Sequence, residues 1–364
     1  MVDAPALEET ITTTVDALMA ALAPLGFIAR HLHPEDLEAV LEAIGTPDAE
    51  LTKAFEQFRA TQWPDQLAAF RGQVERAAEA TLEAWGGLRL AAVAGDIRRA
   101  YRALRAEARA QEALFPLARV LPAVSLFFLD PERREDAALH ADLAEGMGRP
   151  RRGVLHAENA ESERGGFSLF VPEDTRDDTP RPLVVALHGG SGHGRSFLWH
   201  WVRTARSRGL IVAAPTAMGG TWALNGEDLD TPNINRMVDF IAARWPVDTT
   251  RLLLTGMSDG GTFTLLSGLA ADSRFTHLAP FAASFHPILI EMSARSRLAG
   301  LPIHLVHGAM DWMFPVDIAR TAHRAFQAVG ADVTYVEVDD LSHTYPRDMQ
   351  PALVDWFLPS STDS

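Results

Sequence analysis

Cysteine is absent from all 364 residues of the sequence. Its absence excludes disulfide bonds, a cysteine nucleophile and cysteine-ligated metal, although it does not by itself decide the cellular compartment. The 13 histidines do not pair with one another or with acidic residues at a spacing typical of metal ligands. We therefore expect neither a metal nor a cofactor.

Basic residues are also few. The sequence has 33 Lys and Arg against 48 Asp and Glu, which gives a formal net charge of −15, and no compact basic segment reverses that sign locally. Such a chain repels phosphate backbones and anionic lipid headgroups. A nucleic acid is therefore not an expected partner.

Neither a signal peptide nor a membrane span is expected. The first residues, MVDAPALEETITTTVDAL, carry acids where a signal peptide carries basic residues, and we see no long apolar stretch after them. The apolar run from Leu121 to Leu129 contains Pro122 and stops at Asp130, far short of the roughly 20 residues that a membrane span requires. We interpret that run as buried core and expect a cytoplasmic protein.

Residues 1 to about 150 are expected to form a helical domain. They are rich in Ala, Leu, Glu and Arg, and their apolar residues recur at intervals of three and four, a helical period. One such set is Leu37, Val40, Leu41 and Ile44. About five or six helices are predicted. The residues that predict breaks between them are Gly45, Pro64, the pair Gly86 and Gly87, and Gly95.

The segment GMGRPRRG, residues 146–153, is typical of an exposed connection because it combines glycines, a proline and arginines. We place the domain boundary there, between residues 1–150 and residues 151–364. Since the helices must bury their apolar faces, we expect them either to cap the active site or to form the interface of a homodimer.

The second region predicts a mostly parallel β-sheet covered by helices. Residues 153–159 and 166–171 predict a hairpin. Short apolar runs follow, with helical stretches between most of them: 183–187, 210–214, 251–255, 278–285, 303–306 and 333–338. Strands that alternate with helices are typical of an α/β fold. In such sheets ligands bind beyond the carboxyl ends of the strands.

A serine follows one of these strands in the pattern G-x-S-x-G. Gly256, Ser258 and Gly260 form it, between the apolar run RLLLT and the helical segment TFTLLSGLA. A serine on a sharp strand-to-helix turn needs glycine two residues to either side, because those positions crowd each other. The pattern predicts a nucleophile; the alternative is a glycine-rich turn whose serine caps a helix.

Glycines also follow the first strong strand, in LHGGSG, residues 187–192. Backbone N–H groups there can stabilise the oxyanion of a tetrahedral intermediate. We predict the amides of Gly190 and Asp259 as the donors, with Ser191 as the alternative to Gly190. The segment is also compatible with a flexible turn, whereas a phosphate loop is disfavoured because no Lys-Ser/Thr follows.

A serine nucleophile requires a base and an acid that orients it, in the chain order Ser, acid, His. Asp311 follows the run IHLVHG, and His343 follows VTYVEVDDL, so both are predicted on loops that leave strands. Asp339 and Asp340 are alternative acids, and His286 is an alternative base that breaks the order. Three other histidines are expected to be structural: His188, His304 and His307.

Residues from about 153 to 358 resemble the esterase branch of the α/β hydrolases, which includes phospholipase/carboxylesterases, feruloyl esterases and polyhydroxybutyrate-depolymerase-like enzymes. The shared motifs are FVPE, LHGG, RWPVDTTRLLLTGMSDGGT, HGAMD and LSHTYP. The resemblance implies an α/β-hydrolase fold and a triad of Ser258, Asp311 and His343. Two features depart from it: the helical first 150 residues, and Asp259, whose carboxylate we expect to point away from the oxyanion hole.

The leading hypothesis is hydrolysis of a small-molecule carboxylic ester or thioester through an acyl-enzyme. Four residues on strand-exit loops are candidates for the substrate pocket: Trp222, His286, Trp312 and Phe314. A peptidase or a carbon–carbon bond hydrolase is the alternative within catalysis, since the same triad serves both. A binding protein without turnover is the alternative outside it.

Overall fold

The computed structural model describes residues 4–359. The chain divides into two compact units between Leu129 and Asp130. Each unit has its own core, and each is described separately.

The first unit is helical, as predicted. Its α-helices are α1 (Ala4–Arg30), α2 (Leu37–Ile44), α3 (Pro47–Ala60), α4 (Ala68–Ala94), α5 (Ile97–Leu114) and α6 (Pro122–Phe127). Two short 3-10 helices cover Asp65–Leu67 and Phe115–Arg119. Gly45 and Gly95 have positive φ and directly follow α2 and α4, so the predicted breaks at these two residues are correct.

The predicted break at Gly86 and Gly87 is wrong, because both residues lie inside α4. Their roles differ. A Cβ placed on Gly87 would lie 2.7 Å from the Cβ of Ala103 on α5, whereas a Cβ placed on Gly86 meets no atom within 4 Å. Gly87 therefore allows α4 and α5 to approach closely, a packing requirement that the local sequence does not distinguish from a helix break.

The expectation of no long apolar stretch near the amino terminus also needs correction. Within residues 4–359, one helix, Pro5–Arg30 of α1, is long and apolar enough to cross a membrane by length and composition. This is weak evidence for a span, because a core helix meets the same criterion. Leu18, Leu22 and Leu25 of α1 are buried, and the indole of Trp85 in α4 donates a hydrogen bond to Ala21 O at 2.8 Å.

The second unit contains the remaining helices and all the strands of the described residues. Its α-helices are α7 (Ala137–Gly146), α8 (Gly194–Phe197), α9 (Val202–Arg208), α10 (Asp230–Ala242), α11 (Asp259–Gly268), α12 (Ile288–Met292), α13 (Arg295–Leu298), α14 (Asp317–Ala328) and α15 (Gln350–Phe357). Short 3-10 helices cover Pro131–Arg133, Leu198–His200 and Arg347–Met349.

The division between the units lies earlier than the predicted boundary near residue 150. Asp130 is buried in the second unit, where its carboxylate accepts a hydrogen bond from Thr204 of α9 at 3.0 Å. Arg152, expected on an exposed connection, is also buried and donates to Thr175 O at 3.1 Å. Residues 130–153 therefore pack on the second unit, although their composition is typical of a linker.

The second unit is built on an eight-stranded sheet. The strands are β1 (Gly153–Ala157), β2 (Phe167–Val171), β3 (Arg181–Leu187), β4 (Ile211–Pro215), β5 (Val247–Met257), β6 (His277–Phe281), β7 (Pro302–Gly308) and β8 (Asp332–Val338). Their order is β1-β2-β4-β3-β5-β6-β7-β8. The pairs β1–β2 and β2–β4 are antiparallel, and the other pairs are parallel. The predicted hairpin and mostly parallel sheet are confirmed.

The strands β3 and β4 are almost entirely buried because both faces of the sheet are covered there. In β3, every residue from Pro182 to Leu187 is buried, and β4 is buried throughout, as expected for parallel strands between two helical layers. Since β3 to β8 run in the same direction, the loops that follow these strands meet at one edge of the sheet.

The two neighbouring glycines of α4 provide a matched pair of variants. We expect Gly86→Ala to raise the unfolding temperature, because alanine favours a helix interior by about 1 kcal/mol over glycine. Gly87→Ala should lower it, because overpacking typically costs about 1–3 kcal/mol. Thermal unfolding followed by circular dichroism measures both. An equal rise for the two variants would contradict the close approach of α4 and α5.

Candidate active site

Ser258 lies at the junction of β5 and α11 with an unusual backbone conformation. Its φ is 58° and its ψ is −120°, a strained region for a residue with a side chain. The Ser258 amide donates to Phe281 O at 2.9 Å, and its carbonyl accepts from Thr262 N at 2.8 Å. These bonds anchor the turn to β6 and α11, so that the side chain is held at the carboxyl edge of the sheet.

The glycines on either side of Ser258 occupy positions without room for a side chain. A Cβ on Gly256 would lie 2.5 Å from Gly260 O, and a Cβ on Gly260 would lie 2.5 Å from both Leu187 O and His188 O. These backbone atoms belong to the turn itself and to the end of β3. The pattern G-x-S-x-G is therefore a steric consequence of packing this turn against β3.

The side chains of Ser258, His343 and Asp311 form one hydrogen-bonded chain. His343 Nε2 lies 2.9 Å from Ser258 Oγ, and His343 Nδ1 lies 2.8 Å from Asp311 Oδ2. Because a carboxylate only accepts hydrogen bonds, Nδ1 donates to Asp311 and Nε2 is left to accept from the serine. All three residues are buried. The structure thus brings together the three residues that the sequence predicts as a triad.

Asp311 is fixed by donors on both of its oxygens. Oδ1 accepts from the amides of Met313 at 2.9 Å and Phe314 at 2.7 Å. Oδ2 also lies 3.3 Å from Nε2 of His307, which donates to Phe314 O at 2.8 Å. Burial lowers the pKa of His307, which favours its neutral form. His307, expected to be structural, also contacts the candidate acid.

The alternative acids and base are exposed, in contrast to the three buried residues of this chain of hydrogen bonds. Asp339 and Asp340 are exposed at the end of β8. His286 is exposed, and its Nδ1 accepts from the Ile288 amide at the start of α12. Within residues 4–359, no group of three or more acidic or histidine side chains is placed to hold a metal ion.

The residues after β3 form a tight turn beside Ser258. Gly192 N donates to Gly189 O at 2.9 Å, and Ser191 at the third position has a φ of 56°. A Cβ on Gly189 would lie 3.5 Å from the Cβ of Ser258. The Ser191 amide donates to Gly220 O at 3.1 Å, whereas no backbone hydrogen bond among residues 4–359 uses the amide of Gly190. We call residues 189–192 the glycine turn.

The carboxylate of Asp259 lies beside the glycine turn. Its Oδ2 accepts a hydrogen bond from Thr221 Oγ1 at 2.5 Å, and a Cβ on Gly190 would lie 2.7 Å from the same oxygen. Thr221 therefore holds the carboxylate close to Gly190. The amide of Asp259, at the start of α11, is likewise unused by the backbone hydrogen bonds of the described residues.

The aromatic pocket candidates separate into two groups. Trp222 is only 3% exposed, stacks on Phe263 of α11 and donates to His188 O at 2.7 Å. It packs in the core beneath the site. The rings of Trp312 and Phe314 lie 6.5 and 5.2 Å from the ring of His343, and Trp312 is 39% exposed. These two rings flank the mouth of the site beside the candidate base.

A family model for Phospholipase/Carboxylesterase matches residues 228–356, a stretch that contains Ser258, Asp311 and His343. The matched residues include the strands β5 to β8 and the turn at Ser258. The second unit has the α/β-hydrolase fold.

Known proteins similar to this chain include several esterases. A bifunctional acetylxylan esterase/xylanase of Neocallimastix patriciarum is 32% identical over 147 residues, which are 39% of this chain and 21% of that enzyme. The match thus spans about a fifth of the length of that curated relative. The solved structure of a thermostable esterase is 21% identical to this chain, with a TM-score of 0.46. The similarity covers 56% of this chain and 62% of that one.

A Staphylococcus aureus fluorophosphonate-binding serine hydrolase is 15% identical, with a TM-score of 0.43 and coverage of 56% of this chain and 97% of its own.

Replacing the carboxylate bonded to His343 tests which acid the α/β-hydrolase domain uses. We expect Asp311→Asn to lower kcat by about 10⁴-fold, the loss seen when a serine triad loses its carboxylate. The matched variant Asp340→Asn, on the exposed turn after β8, should lower kcat far less. Steady-state ester hydrolysis measures both. A larger loss for Asp340→Asn would assign the acid to the turn after β8 instead.

Proposed function

We propose that the α/β-hydrolase domain hydrolyses a carboxylic ester or thioester by transferring its acyl group through Ser258 to water. The observation that carries this proposal is the continuous hydrogen-bonded chain from Ser258 through His343 to Asp311. The contact between Ser258 and His343 measures 2.9 Å, within reach of proton transfer to a general base, and the contact between His343 and Asp311 measures 2.8 Å. The similarity to esterases supports the same chemistry.

In the first half of the proposed reaction, Ser258 Oγ attacks the carbonyl carbon of the ester while His343 Nε2 takes the hydroxyl proton. Asp311 keeps the imidazole in the Nδ1–H tautomer and stabilises the imidazolium. The bond to the leaving oxygen or sulfur then breaks, and the leaving group takes the proton from His343. In the second half, water repeats the attack on the acyl-enzyme with His343 again as base, and Ser258 is released.

The oxyanion of each tetrahedral intermediate would be held by the amides of Gly190 and Asp259. These are the residue after the nucleophile and a residue of the loop after β3, the two positions that supply such donors in this fold. Gly190 is a better candidate than Ser191, because the Ser191 amide already donates to Gly220 O. The hydrogen bond that Thr221 donates to Asp259 Oδ2 stabilises the negative charge of that carboxylate.

Acetyl esters are the first substrates to test, since the relative from Neocallimastix patriciarum is described as an acetylxylan esterase. A peptidase or a carbon–carbon bond hydrolase remains the alternative, because the same groups serve those reactions. A panel of p-nitrophenyl esters of rising acyl length, assayed beside acyl-CoA thioesters and p-nitroanilides, ranks these classes directly. Failure of the folded protein to turn over any ester would contradict the proposal.

Ser258→Ala tests the nucleophile. We expect this variant to lose ester turnover with little change in the unfolding temperature, because it removes one hydroxyl and almost no packing. Ser273→Ala is a matched control, since Ser273 lies just after α11 and its hydroxyl is buried without a hydrogen-bond partner in the described structure. Its turnover should equal that of the wild type. Substantial activity in Ser258→Ala would assign the nucleophile elsewhere.

A further inference from the structure

The tip of the hairpin between β1 and β2 is joined to the loop after β4. Gly165 N donates to Thr216 O at 3.1 Å, and Thr216 N donates to Gly166 O at 2.8 Å. Asn233 Nδ2 on α10 donates to Gly165 O at 2.8 Å. These bonds fix the hairpin tip next to residues 216–223, which we call the β4 loop.

From this position, the guanidinium of Arg164 contacts both loops beside Ser258. Arg164 Nη1 donates to Gly192 O at 2.8 Å, and Nη2 donates to Gly219 O through a short hydrogen bond. Gly192 closes the glycine turn, and Gly219 lies in the β4 loop. A planar guanidinium can serve two separate carbonyls at once in a fixed geometry, which an ammonium group cannot.

The two carbonyls that Arg164 binds are next to a hydrogen bond that joins the glycine turn to the β4 loop. Ser191 N donates to Gly220 O. Arg164 binds the carbonyl of Gly192, which directly follows Ser191, and the carbonyl of Gly219, which directly precedes Gly220. The β4 loop is fixed from its other side by the buried carboxylate of Asp230, which accepts from Met218 N and Ala223 N at 2.8 Å each. Asp230 also attracts the charge of Arg164.

We propose that Arg164 is a positioning residue that fixes the glycine turn so that the Gly190 amide faces the oxyanion of the acyl-transfer reaction. This inference rests on the proposed function. Arg164 touches no reacting atom; it acts through Gly192 and Gly219. Its removal leaves Ser258, His343 and Asp311 in place but allows the turn to relax, so the proposal predicts a defect in transition-state stabilisation rather than in substrate binding.

The variant Arg164→Ala tests this with p-nitrophenyl acetate as substrate. We expect kcat to fall by about 10-fold to 10³-fold, the upper limit being the loss of one oxyanion donor, with KM nearly unchanged. Added guanidinium at millimolar concentration should restore part of kcat in Arg164→Ala and have no such effect on the wild type. Arg164→Lys, which keeps the charge but not the fork of donors, should be intermediate.

Arg297→Ala is the matched control for a purely structural arginine. Arg297 also bridges two main-chain carbonyls, Gly268 O and Phe275 O, at 2.6 and 2.8 Å, but neither belongs to the loops beside Ser258. We expect Arg297→Ala to lower the unfolding temperature at least as much as Arg164→Ala and to leave kcat unchanged. If Arg164→Ala does not fold, Arg164→Lys with the same control carries the test.

The outcomes separate the two proposals. Turnover that depends on Ser258 but is unaffected by Arg164→Ala would overturn the role of Arg164 alone. That role is also overturned if kcat falls only in proportion to unfolded protein, without rescue by guanidinium, or falls equally in Arg297→Ala. Wild-type turnover that does not depend on Ser258 would overturn the proposed function and this inference together.

Discussion

Ser258 can reach His343 because its backbone adopts a positive φ between β5 and α11. A non-glycine residue in such a strained region typically costs about 1–3 kcal/mol and persists only where its surroundings fix it. Here the hydrogen bond to Phe281 O and the close backbone packing at Gly256 and Gly260 hold the turn in this conformation. The turn thereby joins β3, β5 and β6 at one point, and the other parts of the site are arranged around it.

Two carboxylates, those of Asp311 and Asp259, lie near that turn, and hydrogen-bond donors hold each of them. Asp311 is surrounded by donors, so its charge is fixed beside the imidazole of His343. Asp259 brings a second carboxylate close to Gly190, where an oxyanion would form under the proposed mechanism, and the Thr221 hydroxyl binds it there. The β4 loop, which carries Thr221, thus matters to the electrostatics of the site although it carries no residue of the triad.

The sequence predicted the strands and the serine turn well, because buried parallel strands are continuous apolar runs and the turn requires glycine two residues to either side of Ser258. It missed features that depend on residues distant in the chain. Gly87 is predicted to break a helix, but it lies inside α4 and leaves room for Ala103 of α5. Arg152 lies in a segment whose composition is typical of a linker, but it is buried. The contacts of Arg164 with two loops follow from the sheet order, so no local pattern indicates them.

The residues of the hydrogen-bonded chain are far apart along the polypeptide. Ser258 and His343 are separated by 85 positions, and the strands β6, β7 and β8 lie between them in the chain. During synthesis, the serine turn and the glycine turn therefore leave the ribosome long before the histidine does. For that interval the nascent chain carries its candidate nucleophile without its candidate base, so the hydrogen-bonded chain can form only after translation has passed β8.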